Sequence, residues 1–300
     1  MPGFAAMSFA LGPRAAEAGH RLIVHDTLAS TNSEALRLAR AGEQGPLWIV
    51  AREQTAGRGR RGREWLWADG NLATSLLFTA PVTPAVAATL GFAASLAVHR
   101  ACGAFAPGVD VALKWPNDVL AGDGKVAGLL LESEPSKTVQ SRASGNPEAW
   151  VPAFAGTNGD PGSRPEAGVM TLVVGIGINL ASAPEGTPFP AQSLRALGCH
   201  VTPEDAFAAL TDAWIDLAAL WNNGRGFDVI RAAWLAQARG IGQSVAIRTG
   251  EQVQSGIFEA LDEHGRLILR AVDGTVHAIS AGDVYFGGAA SVVATAGTAS

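Results

Sequence analysis

The sequence predicts an α+β protein, in which a mixed or antiparallel sheet flanked by helices is followed by a small antiparallel barrel. Three observations support this fold class. Segments of strand length, either continuously apolar or alternating, recur between residues 47 and 180 around one long apolar helical segment. Two further helical segments follow them. After Gly240 the pattern changes to short alternating strands joined by glycine-containing turns.

Length and composition limit the classes of function. With 300 residues, the chain is long enough for one large domain and a smaller companion, and 48% apolar with 16% charged residues is typical of a globular protein. The formal net charge of -5 argues against a general nucleic-acid binder, because neutralising phosphates requires a broad basic face. The two cysteines, Cys102 and Cys199, form no motif, which favours a reducing compartment and implies no metal site.

The N-terminus carries no clear targeting signal. No basic residue precedes its short apolar stretch, and Gly12-Pro13-Arg14 interrupts that stretch, which is unlike a secretion signal. No apolar run approaches the roughly 18 residues that span a bilayer. We therefore expect a flexible N-terminus over residues 1–20, a cytoplasmic location and no membrane partner.

The first helix is predicted from Thr31 to Arg40. Ser30 or Thr31 can cap it, apolar residues fall on one side, and Gly42 ends it. Residues 47–54 then read as a strand that leads directly into a glycine-rich loop.

One long helix and four more strands are predicted further along. The helix opens at Thr83-Pro84, a cap with proline at the first helical position, and ends at Gly103. The strands are at residues 71–80, 109–118, 125–134 and 169–180. The last two have the pattern of neighbours in one sheet. Between them, residues 136–168 are rich in Gly, Pro, Ser and Asn and are predicted to be a mobile insertion.

Two helices complete the larger domain, which we assign to residues 21–239. They are predicted at about 202–223, where Thr-Pro-Glu-Asp forms a cap, and at about 227–238. The small barrel is assigned to residues 240–287. Residues 288–300 are small and weakly patterned and are predicted to be a disordered tail.

The strongest local feature is a loop that reads QTAGRGRRGREW over residues 54–65. Its four arginines lie among three glycines, although the protein as a whole is acidic. Glycine leaves backbone N–H groups accessible, and arginine adds planar donors suited to carboxylate or phosphate, so the loop can fold around a small anion. Trp65 and Trp67 could cover an aromatic ring such as adenine. Composition alone also allows a solvated basic loop or an RNA contact.

Two short motifs carry side chains that suit the same pocket. STN, at residues 30–32, supplies hydroxyls and an amide at a helix start, where free N–H groups also point outward. Simple capping is the alternative interpretation. KWPND, at residues 114–118, ends a strand with an aromatic residue, a rigid turn, and a carboxylate beside an amide. Such a turn can also be purely structural.

Two glycine-containing strands add to this set. In GDGKVAGLLLE (residues 122–132), Lys125 opens a strand after a flexible turn and Gly128 permits close backbone approach. Only three of the 22 basic residues are lysines, which favours a function for Lys125 over a solvated side chain. In GIGIN (residues 175–179), two glycines share one strand face, so a ligand can lie flat against it. GIGIN lacks the third glycine and the helix start of the dinucleotide-binding fingerprint.

Taken in this order, STN, EQTAGRGRRGREW, KWPND, KVAGLLLE and GIGIN closely resemble the motifs of the biotin protein ligases. The resemblance spans residues 23–180, and a small C-terminal barrel also occurs in that family. It implies the class II synthetase-like biotin/lipoate ligase fold, followed by an SH3-like barrel. The implied enzyme is a biotin–[biotin carboxyl carrier protein] ligase that uses ATP and Mg²⁺.

The implied reaction has two steps at one site. The carboxylate of biotin attacks the α-phosphate of ATP, giving biotinyl-5′-AMP and pyrophosphate, and the acyl group then passes to a lysine of the carrier. No enzyme nucleophile is needed, and the sequence offers no Ser-His-Asp or Cys-His motif. Positioning and electrostatic stabilisation can therefore supply most of the catalysis.

The resemblance also implies roles for individual residues. Lys125 and Arg60 are the implied catalytic residues, with Lys125 contacting the biotin carboxylate and the α-phosphate. The implied biotin-binding residues are Ser30, Thr31, Asn32, Gln54, Gly57, Arg58, Gly59, Arg60, Lys125, Gly128, Gly175 and Gly177. The implied ATP-binding residues are Arg60, Arg61, Arg63, Trp65, Asn117 and Asn179, with Asp118 as the metal candidate.

Three features depart from the family pattern. Only about 20 residues precede the first strand, so the winged helix that makes some members repressors is expected to be absent, and with it a DNA partner. The barrel ends in GDVYFGG (residues 282–288) without the basic residue that often follows, which puts a C-terminal contribution to ATP binding in doubt. The insertion at 136–168 exceeds the short hairpin expected there.

The sequence leaves two alternatives open. A lipoate protein ligase shares the fold and the acyl-adenylate chemistry, but it typically lacks the GRGRRGR run. An RNA-binding or barrel-mediated adaptor would use the arginines as a basic arm, although the acidic net charge counts against it. The implied partner is a biotin carboxyl carrier domain of a biotin-dependent carboxylase, and the oligomeric state, a homodimer included, is left open.

Overall fold

The computed structural model describes residues 8–136, 168–187 and 189–287. Its helices are α1 (Pro13–Glu17), α2 (Thr31–Arg40), α3 (Pro84–Phe105), α4 (Pro203–Trp221) and α5 (Phe227–Ala236). Its strands are β1 (Arg21–Leu28), β2 (Leu47–Gln54), β3 (Leu72–Pro81), β4 (Val111–Lys114), β5 (Asp118–Ala121), β6 (Gly124–Pro135), β7 (Val169–Ile178), β8 (Ser244–Thr249), β9 (Gln252–Leu261), β10 (Leu267–Arg270), β11 (Val276–Ile279) and β12 (Asp283–Phe286). The predicted insertion, apart from its two end residues, and the predicted tail lie outside the described residues.

A seven-stranded sheet forms the centre of the larger domain. Its strand order is β1-β2-β3-β7-β6-β5-β4. β1 and β2 run parallel and every other neighbouring pair is antiparallel, so the sheet is mixed, as the fold class predicted. β6 and β7 are neighbours, with Gly128 opposite Gly177. This pairing confirms that the two strands on either side of the insertion are adjacent.

Local sequence determines the elements that lead into the arginine loop. α2 has the predicted bounds, and the side chain of Ser30 accepts a hydrogen bond from the backbone N–H of Ser33. Its apolar face buries Ala35 and Leu36 against the sheet. β2 also has the predicted bounds and delivers Gln54 to the start of the loop.

The strand predicted at residues 109–118 is two strands in the structure. β4 ends at Lys114, the next three residues turn the chain, and β5 pairs back antiparallel from Asp118. Pro116 has no N–H to donate to a sheet ladder, so the strand cannot continue through it. The turn places Asn117 and Asp118 beside β6, where the candidate site lies.

α3 forms the core of the layer that covers the sheet. Among the described residues it is the one helix long and apolar enough to cross a membrane, which corrects the expectation that no apolar run approaches that length. Its Leu90, Ala93 and Ala97 are completely buried. The indole N–H groups of Trp221 and Trp234 donate to hydroxyls on this helix, at 2.8 and 3.0 Å. These contacts are those of a helix packed inside the protein.

The C-terminal strands form a separate five-stranded antiparallel sheet with the order β11-β10-β9-β8-β12. This arrangement agrees with the predicted small barrel. Its apolar residues Phe258 and Leu267 belong to the same buried cluster as Leu113 and Trp115 of the larger domain. The indole N–H of Trp115 also donates to the backbone oxygen of Gly265 at 3.1 Å. The small sheet is therefore packed directly against the strand end that carries KWPND.

The N-terminal segment differs from the expectation of flexibility. Phe9 is buried and meets the ring of Phe207 edge to face, with the ring centroids 5.8 Å apart. α1 packs against α4, and Arg14 forms an ion pair with Asp216. Residues 8–20 are thus held by apolar contact that the sequence pattern did not reveal, while residues 1–7 lie outside the described range.

The packing of Phe9 predicts a measurable loss of stability on truncation. Phe9→Ala should lower the free energy of unfolding by about 2 kcal/mol, because the variant loses the stabilisation that burial of the aromatic ring provides. Urea denaturation followed by tryptophan fluorescence would measure it. Val272→Ala is the control, since Val272 is fully exposed and its truncation should have little effect. Equal stability of the two variants would contradict the packed N-terminus.

Candidate active site

The predicted residues converge on one open pocket. It lies where the start of α2, the end of β2, the arginine loop and the β4–β5 turn meet strands β6, β7 and β12. From the predicted set it is lined by Ser30, Thr31, Asn32, Gln54, Arg58, Gly59, Arg60, Arg61, Arg63, Trp65, Asn117, Asp118, Lys125, Gly128, Gly175 and Gly177. The remaining lining residues are Glu64, Leu129, Leu130, Ile176 and Asp283.

One wall of the pocket is a buried network of neutral polar groups. The backbone N–H of Thr31 donates to Oε1 of Gln54 at 2.8 Å, and the hydroxyl of Thr31 lies 3.2 Å from the same oxygen. Ser75 Oγ lies 2.8 Å from Thr31 Oγ1 and 2.5 Å from Asn32 Oδ1. Ser75 was missed from sequence, because a single serine in an apolar strand gives no signal. The network extends the STN motif beyond simple helix capping.

The glycines of β6 and β7 allow other groups to approach the sheet closely. A Cβ at Gly175 would lie 2.2 Å from Oδ1 of Asn32, so only glycine lets Asn32 lie against this strand. A Cβ at Gly177 would lie 2.3 Å from the Trp65 ring, and one at Gly128 would lie 2.9 Å from it. The indole of Trp65 therefore rests on the surface where the sequence predicted a flat ligand.

Arg58 is held by an acidic residue that the sequence analysis missed. Its Nη2 donates to Oε1 of Glu132 at 2.5 Å, and its Nη1 donates to the Ser33 hydroxyl at 3.2 Å. Nδ2 of Asn32 donates to the other carboxylate oxygen of Glu132 at 2.8 Å. Glu132 thus links the arginine loop to the polar wall. An acid ending the apolar run LLL was the available signal for it.

Arg60 reaches the β4–β5 turn. Its Nη1 donates to Oδ1 of Asn117 at 2.7 Å, and Nδ2 of Asn117 donates to the backbone oxygen of Leu129 at 2.5 Å. Burial lowers the pKa of the Arg60 guanidinium from its usual value. An arginine side chain nevertheless stays charged in proteins. The asparagine of KWPND therefore fixes one predicted catalytic cation in place.

Lys125 and Asp118 form a close ion pair, with Nζ 2.7 Å from Oδ1. Burial pushes the pKa of Asp118 upward, but the charges of Lys125 and Lys114 outweigh it and lower the pKa overall. Asp118 is therefore a carboxylate that already has a lysine partner. No group of three or more His, Cys, Asp or Glu side chains in the described part of the chain could hold a metal ion.

Two predicted residues lie next to the pocket without lining it. Gly57 shapes the loop, because its backbone oxygen accepts from the N–H of Trp65 at 2.9 Å and a Cβ there would lie 2.4 Å from the Trp65 backbone oxygen. The Nδ2 of Asn179 lies 3.4 Å from the backbone oxygen of Lys125. Oδ1 of Asn179 is buried and has no hydrogen-bond partner. A buried acceptor without a donor is what an incoming N–H group would satisfy.

Lys114 was not among the predicted site residues, although its rarity as a lysine was the signal for it. It is buried, and Nζ lies 3.3 Å from the ring centroid of Phe189 and 5.9 Å from that of Phe286. Burial lowers its pKa to about 8, with Asp118 opposing that effect and Lys125 adding to it. A second ammonium group thus lies close to the Lys125–Asp118 pair.

The C-terminal sheet contributes a carboxylate to the pocket. Asp283, the first residue of β12, forms ion pairs with Arg61 and Arg63 of the loop. The backbone of Arg61 has a positive φ of 57°, which turns the chain sharply between Gly59 and Gly62. The small domain therefore does reach the site, but through an acid and not through the basic residue whose absence had put its contribution in doubt.

Two family comparisons bear on this arrangement. Residues 25–146 match the Biotin/lipoate A/B protein ligase family. Residues 240–287, the residues of the small sheet, match the Biotin protein ligase C terminal domain. With the mixed sheet and the cationic pocket, these matches define the class as the biotin and lipoate protein ligases.

Comparison with individual proteins identifies the family within this class. The chain is 41% identical over 266 residues to the biotin–[acetyl-CoA-carboxylase] ligase of Paracoccus denitrificans, covering 86% of this chain and 98% of the relative. It is 30% identical to the ligase of the same name from Mycobacterium tuberculosis, covering 85% of each. The biotin protein ligase of Aquifex aeolicus, solved with biotin and ATP, has the same fold: TM-score 0.66 and 24% identity, covering 90% of this chain and 99% of that one. The chain belongs to the biotin protein ligase family.

The buried ammonium of Lys114 predicts a dependence of stability on pH. Because its pKa falls from 10.5 to about 8 on folding, the unfolded chain binds more protons between those pH values. The stability of the wild type relative to Lys114→Met should therefore rise from pH 8 to 10.5, by roughly 1–3 kcal/mol. Urea denaturation of both proteins across this range would measure it. A stability difference between the two proteins that does not change with pH would show that folding does not lower the pKa of Lys114.

Proposed function

We propose that this protein activates biotin with ATP, giving biotinyl-5′-AMP and pyrophosphate, and transfers the biotinyl group to a lysine of a carrier domain. The observation that carries the proposal is the convergence of five motifs on one pocket, where cations face a wall of neutral polar groups. The names of the Paracoccus and Mycobacterium relatives support the same activity.

The neutral wall suits the uncharged end of biotin. A ureido ring presents two N–H donors and one carbonyl acceptor, and Thr31, Asn32, Gln54 and Ser75 offer buried groups of both kinds. Because these residues already hydrogen-bond to one another, their side chains are fixed before a ligand enters. The glycines of β7 let Asn32 and the Trp65 indole lie against the strand, and a flat bicyclic ring would take the place of this indole.

The activation step brings two anions together, so its main requirement is positive charge. The biotin carboxylate forms a bond to the α-phosphorus, and the bond from that phosphorus to the bridging oxygen of pyrophosphate breaks. Lys125 offers a compact ammonium with three donors, of which one is used by Asp118. Arg60 offers planar donors beside the same turn, since Asn117 holds Arg60 and the next residue, Asp118, holds Lys125. Both stabilise charge that develops on the phosphoryl oxygens.

We assign nucleotide binding to the arginine loop and to the end of β7, which together form the nucleotide side of the pocket. Arg61 and Arg63 have donors for phosphate, and the unsatisfied Oδ1 of Asn179 can accept an N–H such as the exocyclic amine of adenine. Asp118 already pairs with Lys125, and a single carboxylate does not form a dedicated magnesium cage. Magnesium therefore enters the site as part of the MgATP substrate.

The second step requires a macromolecular partner. The amine of a carrier lysine attacks the acyl carbon of the mixed anhydride, an amide bond forms, and AMP leaves. We propose the biotin carboxyl carrier domain of a biotin-dependent carboxylase as this partner, in a cytoplasmic setting. The net charge of -5 favours such a protein partner over a nucleic acid.

ATP–pyrophosphate exchange tests the activation step directly. Exchange should depend on biotin and should not be supported by lipoate, and addition of a carrier domain should yield covalent biotin on one lysine by mass spectrometry. Exchange with lipoate and not biotin would favour the lipoate ligase alternative. Absence of exchange together with tight RNA binding would reject an enzymatic role.

Lys125→Gln should reduce biotin-dependent exchange by at least about a hundredfold, because it removes the ammonium while keeping a hydrogen-bond donor for Asp118. Lys125→Arg should not restore activity, since a planar guanidinium cannot take the place of a compact ammonium. The control is Arg270→Gln, which removes an exposed ion pair of the small sheet. Circular dichroism and thermal melting would confirm folding. Near-normal exchange by Lys125→Gln would refute the assignment.

A further inference from the structure

Asp283 is the place where the C-terminal sheet meets the arginine loop. One of its carboxylate oxygens accepts from Nη1 of Arg61 at 3.4 Å and also from Nη2 of Arg63. The side chain of Asp283 is 22% exposed, whereas those of Arg61 and Arg63 are 35% and 56% exposed. The carboxylate is thus the more buried and better fixed partner in both pairs.

The strand that carries Asp283 is held firmly. Val284 and Tyr285, the next two residues of β12, are buried, and β12 pairs along its length with β8. Phe286 then meets Phe189 edge to face, with the ring centroids 6.2 Å apart. The loop, in contrast, is rich in glycine, and its Arg61 and Arg63 are exposed. Asp283 therefore ties the glycine-rich loop to a strand that is fixed by pairing and packing.

The loop needs such a partner for an electrostatic reason. Arg61 and Arg63 both lower the pKa of Arg60, which is the expected effect of positive charges held close together, while Asp283 opposes it. No lysine or arginine follows Arg270 in the sequence. Of the described residues of the small sheet, Asp283 lines the pocket, whereas Arg248, which lies opposite it on β8, donates to the hydroxyl of Tyr285. The contribution of the small sheet is therefore the counter-charge that lets three arginines remain together.

We propose that Asp283 is a positioning residue that holds Arg61 and Arg63 in the orientation that receives the phosphates of ATP, and so couples the C-terminal sheet to nucleotide binding. This inference rests on the proposed function for its kinetic part. Each guanidinium has five N–H donors, so an arginine that uses one or two on Asp283 keeps others for phosphate. The role of Asp283 is to aim these donors, not to contact the reacting atoms.

The structure also separates this role from general stability. Exposed and half-exposed ion pairs contribute little to folding, so removal of the charge should leave the protein folded. Glu259 provides a matched control. It forms an ion pair with Arg270 on the same small sheet, and neither residue lines the pocket.

Limited proteolysis tests the restraint without requiring any enzymatic activity. Trypsin should cleave within residues 58–63 about three- to tenfold faster in Asp283→Asn than in the wild type without ligands, because the arginines are released. Glu259→Gln should cleave at the wild-type rate. Asp283→Glu should keep the protection of the wild type, since it retains a carboxylate at the same position.

Steady-state exchange kinetics test the coupling to the nucleotide. Asp283→Asn should raise KM for ATP about tenfold while KM for biotin and kcat change less than twofold, and Glu259→Gln should change none of them. If KM for ATP, KM for biotin and kcat all change to a similar extent, Asp283 has a merely structural role and the proposal is overturned. Cleavage of Asp283→Asn at the wild-type rate would overturn the proposed restraint, whatever the exchange kinetics show. If Asp283→Asn is cleaved faster but the wild type shows no biotin-dependent exchange, the result counts against the proposed function and not against the restraint.

Discussion

Five cationic side chains surround one pocket, and the like charge they concentrate there must be offset before the protein can fold around it. Each cation has an oxygen partner on another element of the structure, and Arg61 and Arg63 share the same one. The pairs are Arg58 with Glu132, Arg60 with Asn117, Arg61 and Arg63 with Asp283, and Lys125 with Asp118. None of these partners is adjacent to its cation in sequence. The conformation of the loop therefore depends on the tertiary fold.

The same pocket depends on the close pairing of β6 and β7. Their register places Gly128 opposite Gly177, so two strands lacking side chains at these positions form one shallow surface. Trp65 lies on this surface and is 5.5 Å from the ammonium of Lys125. A neutral polar wall at one end and cations at the other divide the pocket into two chemically different halves. That division matches a substrate with an uncharged ring and a carboxylate.

Much of the fold could be read from local patterns. The bounds of α2 and β2 follow from a capping serine, an apolar run and flanking glycines, all of which act within a few residues. The split of one predicted strand into β4 and β5, and the packing of residues 8–20 through Phe9, could not be read in this way. Each depends on a partner far away in sequence, and an isolated segment carries no record of its partner.

The sequence by itself determined which chemical groups the site would contain, because glycines, arginines and a rare lysine in five ordered motifs favour binding of a small anion and resemble the motifs of the biotin protein ligases. Only the tertiary structure decided how these groups are held. Ser75 and Asp283 join the site from β3 and from the C-terminal sheet, and Lys114 and Glu132, which belong to two of the motifs, join it through contacts that the motifs do not reveal. Their roles arise from distances and burial, which no residue type or spacing encodes, since a carboxylate acts on whichever cation the fold brings within reach.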